Sequence, residues 1–217
     1  MKKKAKIQLT LGLLLLVVFI LYTISLTFVD LQPIGPNGSY VAYAGINRWV
    51  HGLFGVNMML YHITDWAGLV PILVAMGFAV LGLIQWIRRK SIQKVDRSIL
   101  VLGGFYVLIF GAYAFFERNI INYRPVLIDG LLEASYPSST TMLAMCVLPT
   151  AMMQFCRLIG NKSLKKNVNR IFGLFTAFLV IGRLLSGVHW VTDIFGGMLL
   201  STALIFLYRA AENYFQS

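Results

Sequence analysis

Six long apolar stretches, separated by short polar segments, dominate the pattern of hydrophobic and polar positions along the chain. Each is free of acids and nearly free of bases, and most are long enough for a membrane-spanning helix. They are residues 7–29, 66–87, 98–116, 139–155, 168–186 and 194–208. The last stretch is short for a full crossing, so its boundary is the least well defined. The pattern predicts an all-α integral membrane protein, a six-helix transmembrane bundle in a single domain over residues 1–217.

Composition agrees with this class. The chain has 217 residues, of which 58% are hydrophobic and 12% charged, and a mean hydropathy of +0.75. A soluble domain of this size does not carry so much apolar surface. The first apolar stretch follows a basic N-terminus but is too long for a signal peptide and has no small-residue cleavage site after it, which predicts a retained first helix.

The segment between the first two apolar stretches has a different character. Residues 40–62 interleave aromatic side chains with asparagine, arginine and histidine, and a turn-rich QPIGPNGS segment precedes them. The mixture is too polar to span a membrane, so we expect an amphipathic segment at the interface, within an outer loop over residues 30–65.

The distribution of charged residues predicts how the chain is oriented in the membrane. Fifteen of the nineteen lysines and arginines fall on one side of the six predicted spans. The positive-inside rule then predicts a multi-pass protein of the cell membrane with both termini in the cytoplasm. Six of the eight acids fall on the opposite side: Asp30, Asp65, Glu117, Asp129, Glu133 and Asp193. Since the basic residues lie between apolar runs, nucleic-acid binding is not expected. The acids on the opposite side predict a polar site on the extracytoplasmic face.

The stretch GRLLSGVHWVTD, residues 182–193, carries the most distinctive polar groups. The spacing predicts that His189 and Asp193 share one helical face at the start of the sixth span. The carboxylate would fix the imidazole tautomer and free the other nitrogen as a nucleophile, while Arg183 offers a planar donor fork suited to phosphate. Lipid-headgroup contact by the arginine and an ordinary polar pair are the alternatives.

A second outer loop, over residues 117–138, carries further candidates. It contains Arg118 and Arg124, and it leads into Ser138 and Thr140 where the fourth span begins. Backbone N–H groups and hydroxyls at a helix N-terminus form a natural phosphate cradle, although helix capping accounts for the same residues.

Three motifs together resemble a known family. Arg124-Pro125, Pro137-Ser138, and Arg183 followed by His189 and Asp193 at this spacing look like the type 2 phosphatidic acid phosphatases, whose phosphate pocket is similar to that of vanadium haloperoxidases. The resemblance covers about residues 65–208. It implies that His189 is a nucleophile forming a phosphohistidine, oriented by Asp193, while Arg124, Arg183 and Ser138 bind phosphate. It implies no metal or organic cofactor, and as partners only membrane lipids and a lipid phosphate substrate.

Two positions depart from the family pattern. The first motif has a lysine where this chain has Glu117, so the neighbouring Arg118 is the candidate replacement. The second motif ends in a histidine that resembles a general acid, and Thr140 stands there. A threonine hydroxyl donates a hydrogen bond to phosphate but does not deliver a proton, and losing such an acid costs about 10²–10⁴ in rate. His62 is the better replacement acid of the two remaining histidines, although an interfacial role for it is the more ordinary interpretation.

The missing acid bears on the substrate. An alcohol leaving group needs a proton, whereas a diphosphate expels a phosphate monoester whose second pKa is about 6. The sequence therefore favours a lipid phosphatase acting on a polyprenyl diphosphate, of which undecaprenyl diphosphate is one example, over one acting on a phosphatidate in phospholipid metabolism. A lipid phosphotransferase and a non-catalytic anionic-lipid-binding protein remain alternatives.

Overall fold

The computed structural model describes residues 2–215 and is built from α-helices. The α-helices in this described part of the chain are α1 Lys2–Ser25, α2 Ala44–Phe54, α3 Met58–Ala67, α4 Leu69–Arg89, α5 Arg97–Arg118, α6 Ser139–Leu158, α7 Lys162–Leu185 and α8 Val191–Phe215. Short 3₁₀ turns occur at Pro36–Gly38 and Ile92–Lys94. Over the described residues, β pairing is limited to isolated bridges, two of them in the segment between α5 and α6.

Within residues 2–215, six helical segments are long and apolar enough to cross a membrane, which confirms the predicted six-helix bundle. They are Lys2–Ser25, Met58–Arg89, Arg97–Arg118, Ser139–Arg157, Lys162–Leu185 and Val191–Phe215. The last runs for 25 residues, well beyond the end expected from hydropathy. It continues because its buried Glu212 is neutralised: both carboxylate oxygens accept hydrogen bonds of 2.8 Å from Arg157, and Gln154 and Tyr208 add two more.

The segment predicted to lie at the interface contains two helices, α2 and α3. The turn between them passes through Gly55, and the Asn57 side chain caps α3 by accepting a hydrogen bond from the Leu60 backbone. After Gly68, α3 runs directly into α4, so that the two form one 32-residue apolar segment. The α2 helix is attached to the start of α8 by buried Asn47, which donates to the Thr192 hydroxyl.

The bundle packs around α6 and α8, the two most buried spans. The α1 helix lies along α8, where Gly12 allows close approach because a Cβ there would come within 2.7 Å of Leu207. At the other end of the bundle, the Tyr136 ring lies against Gly196, where a Cβ would overlap it. This contact fixes the α5–α6 segment over the start of α8, where the polar residues gather.

Candidate functional site

A polar cleft opens at the end of the bundle where α5 ends and α6 begins. Its lining includes Tyr113, Phe116, Glu117, Arg124, Ser135, Tyr136, Ser139, Met142 and His189. Of the predicted site residues, Arg124 and His189 therefore line the cleft. Buried next to it are Ser138, Thr140, Arg183 and Asp193. The fold thus brings together residues from three separate stretches of the sequence.

His189 lies in the α7–α8 loop, because α8 begins only at Val191. The expectation of a shared helical face with Asp193 was therefore wrong. The loop turns through Gly187, which has a φ of +67° and approaches the Gly55 carbonyl so closely that a Cβ would overlap it. The Asn57 backbone N–H also donates to the Ser186 carbonyl, so backbone contacts on both sides fix the loop that carries His189.

Asp193 is engaged by groups other than the imidazole. Its Oδ2 lies 3.8 Å from His189 Nδ1, which is too long for a hydrogen bond. Instead, Oδ2 accepts from the Trp190 backbone N–H at 2.9 Å, and Oδ1 accepts from the Asn122 side chain at 3.1 Å. The expected orienting hydrogen bond is absent from this arrangement because the free N–H groups at the start of α8 compete for the carboxylate.

The tautomer of His189 follows from its other neighbour. Its Nε2 lies 3.1 Å from Arg124 Nη1, and since a guanidinium can only donate, Nε2 accepts and the ring proton is on Nδ1. Burial, with the charges of Arg124 and Arg183, lowers the pKa of His189 well below its ordinary value. The imidazole is therefore neutral near pH 7 and has its lone pair on Nε2, beside the cleft.

Arg183 is almost fully buried, at 2% exposure, and is held on three sides. Its Nε donates to the Thr140 hydroxyl at 3.0 Å and its Nη2 to the Asp65 carboxylate at 2.7 Å. The Tyr61 ring centroid lies 4.9 Å from its guanidinium carbon. Of the three guanidinium nitrogens of Arg183, only Nη1 has no hydrogen-bond partner among the described residues, which leaves one donor group of a fixed fork free.

Arg124 is held differently, by a partly exposed acid in its own loop. Its Nε lies 3.0 Å from Glu133 Oε2, and the backbones of the two residues are also hydrogen bonded. The Tyr61 ring lies 5.9 Å from its guanidinium carbon, so this tyrosine contacts both arginines.

Asp65 and Tyr61 are the residues that sequence reasoning missed as parts of the site. Their spacing of four on α3, next to an acid-free apolar run, was the available signal.

Comparison with known proteins now identifies the family. Residues 113–217 match the family model of the PAP2 superfamily. This region, just under half of the chain, is similar to the PAP2 superfamily. The relationship inferred from the three motifs is thereby confirmed, and the matched region contains every motif residue named above.

Two PAP2 relatives are informative. Phosphatidylglycerophosphatase B of Bacillus subtilis (strain 168) is 32% identical over 98 residues, which are 45% of this chain and 47% of the relative. The match thus spans about half the length of that protein. A crystal structure described as the first transmembrane PAP2 type phosphatidylglycerolphosphate phosphatase from Bacillus subtilis superposes with a TM-score of 0.63 and 20% identity. It covers 94% of this chain and 96% of that one. The chain therefore shares the fold of a transmembrane PAP2 protein.

Glu117 and Arg118 lie at the position where the sequence departs from the expected first motif. Glu117 lines the cleft together with Arg124 and His189. Arg118 lies at the exposed end of α5, outside the set of residues that line the cleft. A step of one residue rotates a side chain by about 100° around a helix, so the two neighbours face different directions. The structure does not bring Arg118 to the phosphate-binding position expected for it.

The residues of the second motif make contacts within the protein at the start of α6. Buried Ser138 begins α6: its hydroxyl accepts from the Thr141 backbone at 3.5 Å, and its own N–H donates to the Asp193 carbonyl at 3.1 Å. Thr140 is engaged with Arg183. His62, the expected replacement acid, is an exposed residue whose ring lies 5.2 Å from that of Tyr61, outside the residues that line the cleft.

Proposed function

We propose that this PAP2 protein is a metal-independent membrane phosphatase that hydrolyses a lipid phosphate or diphosphate through a phosphohistidine on His189. One observation carries the proposal: a buried, neutral imidazole presents Nε2 beside the guanidinium of Arg124, with a second fixed guanidinium nearby. This combination supplies a nucleophile and the charge that a phosphoryl group needs during transfer.

The first step begins when a phosphoryl group enters the cleft and Arg124 exchanges its contact with Nε2 for phosphate oxygens. The Nε2 lone pair attacks phosphorus, and the bond to the leaving oxygen breaks, with the electron pair departing on that oxygen. The free Nη1 of Arg183 and the Ser139 end of α6 stabilise the equatorial oxygens. The Nδ1 proton stays on the ring, facing the Asp193 carboxylate.

In the second step, a water oxygen attacks phosphorus as the bond to Nε2 breaks. One water proton passes to solvent or to the released phosphate, and the neutral histidine is restored. Both steps rely on cations rather than on a bound metal to balance charge at phosphorus.

The leaving group directs the choice of substrate. Among the residues lining the cleft, Thr140 and His62 do not appear, and the Thr140 hydroxyl already accepts from Arg183. A substrate whose leaving group needs no proton is therefore favoured, which supports a polyprenyl diphosphate over a phosphatidate.

The six spans and the distribution of charge support an orientation in the membrane with the cleft on the extracytoplasmic side. An even number of crossings places both ends of the chain on one side of the membrane. The basic residues concentrate there. By the positive-inside rule that side is cytoplasmic, so the cleft faces away from the cytoplasm.

The test is phosphate release by purified native protein and by the His189→Ala variant in detergent. The substrates are farnesyl diphosphate, phosphatidate and phosphatidylglycerol phosphate. We expect release that requires His189 and is fastest with the diphosphate. Faster release from a monoester would remove the substrate preference, and release that survives His189→Ala would remove the mechanism.

A further inference from the structure

Glu117 places a carboxylate where neither the helix nor substrate binding favours one. It lies in the last turn of α5, where the negative end of the helix dipole disfavours an acid. The residue is exposed and lines the cleft, so its charge also repels an entering phosphate. Among the described residues it forms no ion pair, not even with adjacent Arg118. Helix stability and ground-state binding therefore do not account for this side chain.

Glu117 shares the cleft with the proposed nucleophile and with the cation beside it. Arg124, whose Nη1 lies 3.1 Å from Nε2 of His189, lines the same cleft. The guanidinium of Arg124 pairs with Glu133 and not with Glu117, so carboxylate and guanidinium border the cleft from separate positions. Polar groups that face each other across more than a hydrogen-bond length are commonly bridged by water. This arrangement suits a base that acts on a water molecule near Nε2.

We propose that Glu117 is the general base of the second step, an inference that rests on the proposed function. The carboxylate accepts one proton from the water whose oxygen attacks phosphorus. The bond between phosphorus and Nε2 of His189 breaks, and its electron pair returns to the ring. The proton then passes from Glu117 to the released phosphate or to solvent, which restores the carboxylate. A carboxylate has no proton to give to the leaving group, so the first step still favours a diphosphate.

The other candidates for this proton are engaged elsewhere. The Thr140 hydroxyl already accepts from Arg183 and lies outside the residues that line the cleft. Asp193 is fully buried, and both of its oxygens accept hydrogen bonds within the protein. Among the described residues that line the cleft, Glu117 supplies the one carboxylate. The second step therefore has a base at the position where the first motif departs from the expected pattern.

The experiment resolves the two steps in native protein, Glu117→Gln, Asp129→Asn and His189→Ala. Asp129→Asn is the matched control, since Asp129 is an exposed acid of the adjoining α5–α6 segment and lies outside the residues that line the cleft. Each purified protein is mixed with farnesyl diphosphate labelled in its terminal phosphate and quenched in alkali at a series of times. Farnesyl phosphate measures formation of the phosphohistidine, and free phosphate measures its hydrolysis.

The proposal predicts a defect confined to the second step. For Glu117→Gln we expect the phosphohistidine to form within about threefold of the native rate and to be hydrolysed about 10²-fold more slowly, so labelled protein accumulates. Asp129→Asn should stay within about twofold of native protein at both steps, because an isolated exposed charge contributes little. His189→Ala should carry no label.

Hydrolysis of the phosphohistidine at the native rate in Glu117→Gln, or a loss confined to its formation, would overturn the role of general base. Hydroxylamine provides a second measurement, because its attack on phosphorus does not depend on a carboxylate. It should discharge the adduct that accumulates on Glu117→Gln, and an adduct that resists it would indicate a distorted site and overturn the proposal. Absence of any release that depends on His189 would overturn the proposed function itself, so the two failures are distinguishable.

Discussion

The two arginines of the site are held in contrasting ways. Arg183 belongs to a helix and is fixed by partners on two other helices, Thr140 of α6 and Asp65 of α3. Arg124 belongs to the extended α5–α6 segment. Its acidic partner, Glu133, comes from the same segment and is 40% exposed.

We therefore distinguish a fixed half of the site, around Arg183, from an adjustable half, around Arg124. The Arg183 guanidinium is held by partners on two other helices, and its buried Nη1 has no hydrogen-bond partner among the described residues. Arg124 instead occupies the His189 Nε2 lone pair, which has to be released before the imidazole can attack. In the proposed mechanism, Arg183 on the helix therefore stays in place, while Arg124 on the loop moves during each turnover.

The largest effect should come from the fixed half. Arg183→Lys keeps the charge but loses the fork that reaches Thr140 and Asp65, so kcat/KM should fall by about 10²–10³-fold. Steady-state phosphate release measures it. Arg118→Lys, the same change at the exposed end of α5, is the control and should stay within about twofold of native; equal losses would remove the distinction.

A smaller loss of kcat/KM is expected from substitutions of Asp65, which positions Arg183. Asp65→Asn retains an acceptor for Nη2, whereas Asp65→Ala leaves that buried N–H unpaired. We expect kcat/KM to fall about tenfold for the alanine variant and less for the asparagine variant. If both variants behave like native protein, Arg183 does not depend on this carboxylate.

The adjustable half should respond in the opposite direction. Glu133→Gln removes the carboxylate that competes with substrate phosphate for Arg124, so KM should decrease about threefold with little change in kcat. Saturation curves with the preferred substrate provide the comparison. An increase in KM would show that Glu133 holds Arg124 in its productive position.

The smallest expected effect is on the pH dependence of kcat/KM. Because the pKa of His189 is lowered, the neutral nucleophile should persist as the pH falls, and kcat/KM should decline only below the ordinary histidine range. Removing a neighbouring cation by Arg124→Gln raises that pKa, so the acidic decline of the residual activity should move to higher pH. A decline at the same pH in both proteins would contradict the electrostatic coupling.

Sequence reasoning recovered the parts of this site that are local. Arg183, His189 and Asp193 lie within twelve residues, so their spacing is visible in the sequence and formed the most specific of the three motifs that indicated the PAP2 family. The start of α8 was misplaced because Asp193 acts as a capping group, which the spacing of four does not reveal.

The rest depended on contacts that spacing cannot encode. Asp65 lies 118 positions before Arg183, and their pairing appears only after α3 packs on α7. The choice between Glu117 and Arg118 turns on the rotation of α5, which its neighbours in the bundle determine. In both cases the sequence shows the residue types, whereas helix packing determines which way their side chains point.

Trapping the intermediate is the sharpest test of the proposed attack by His189. Native protein is mixed with farnesyl diphosphate, quenched in alkali within a single turnover, digested and analysed by mass spectrometry that distinguishes the two ring nitrogens. The proposed mechanism predicts one phosphoryl group, on Nε2 of His189. Turnover without an adduct at this residue, or an adduct on Nδ1, would contradict it.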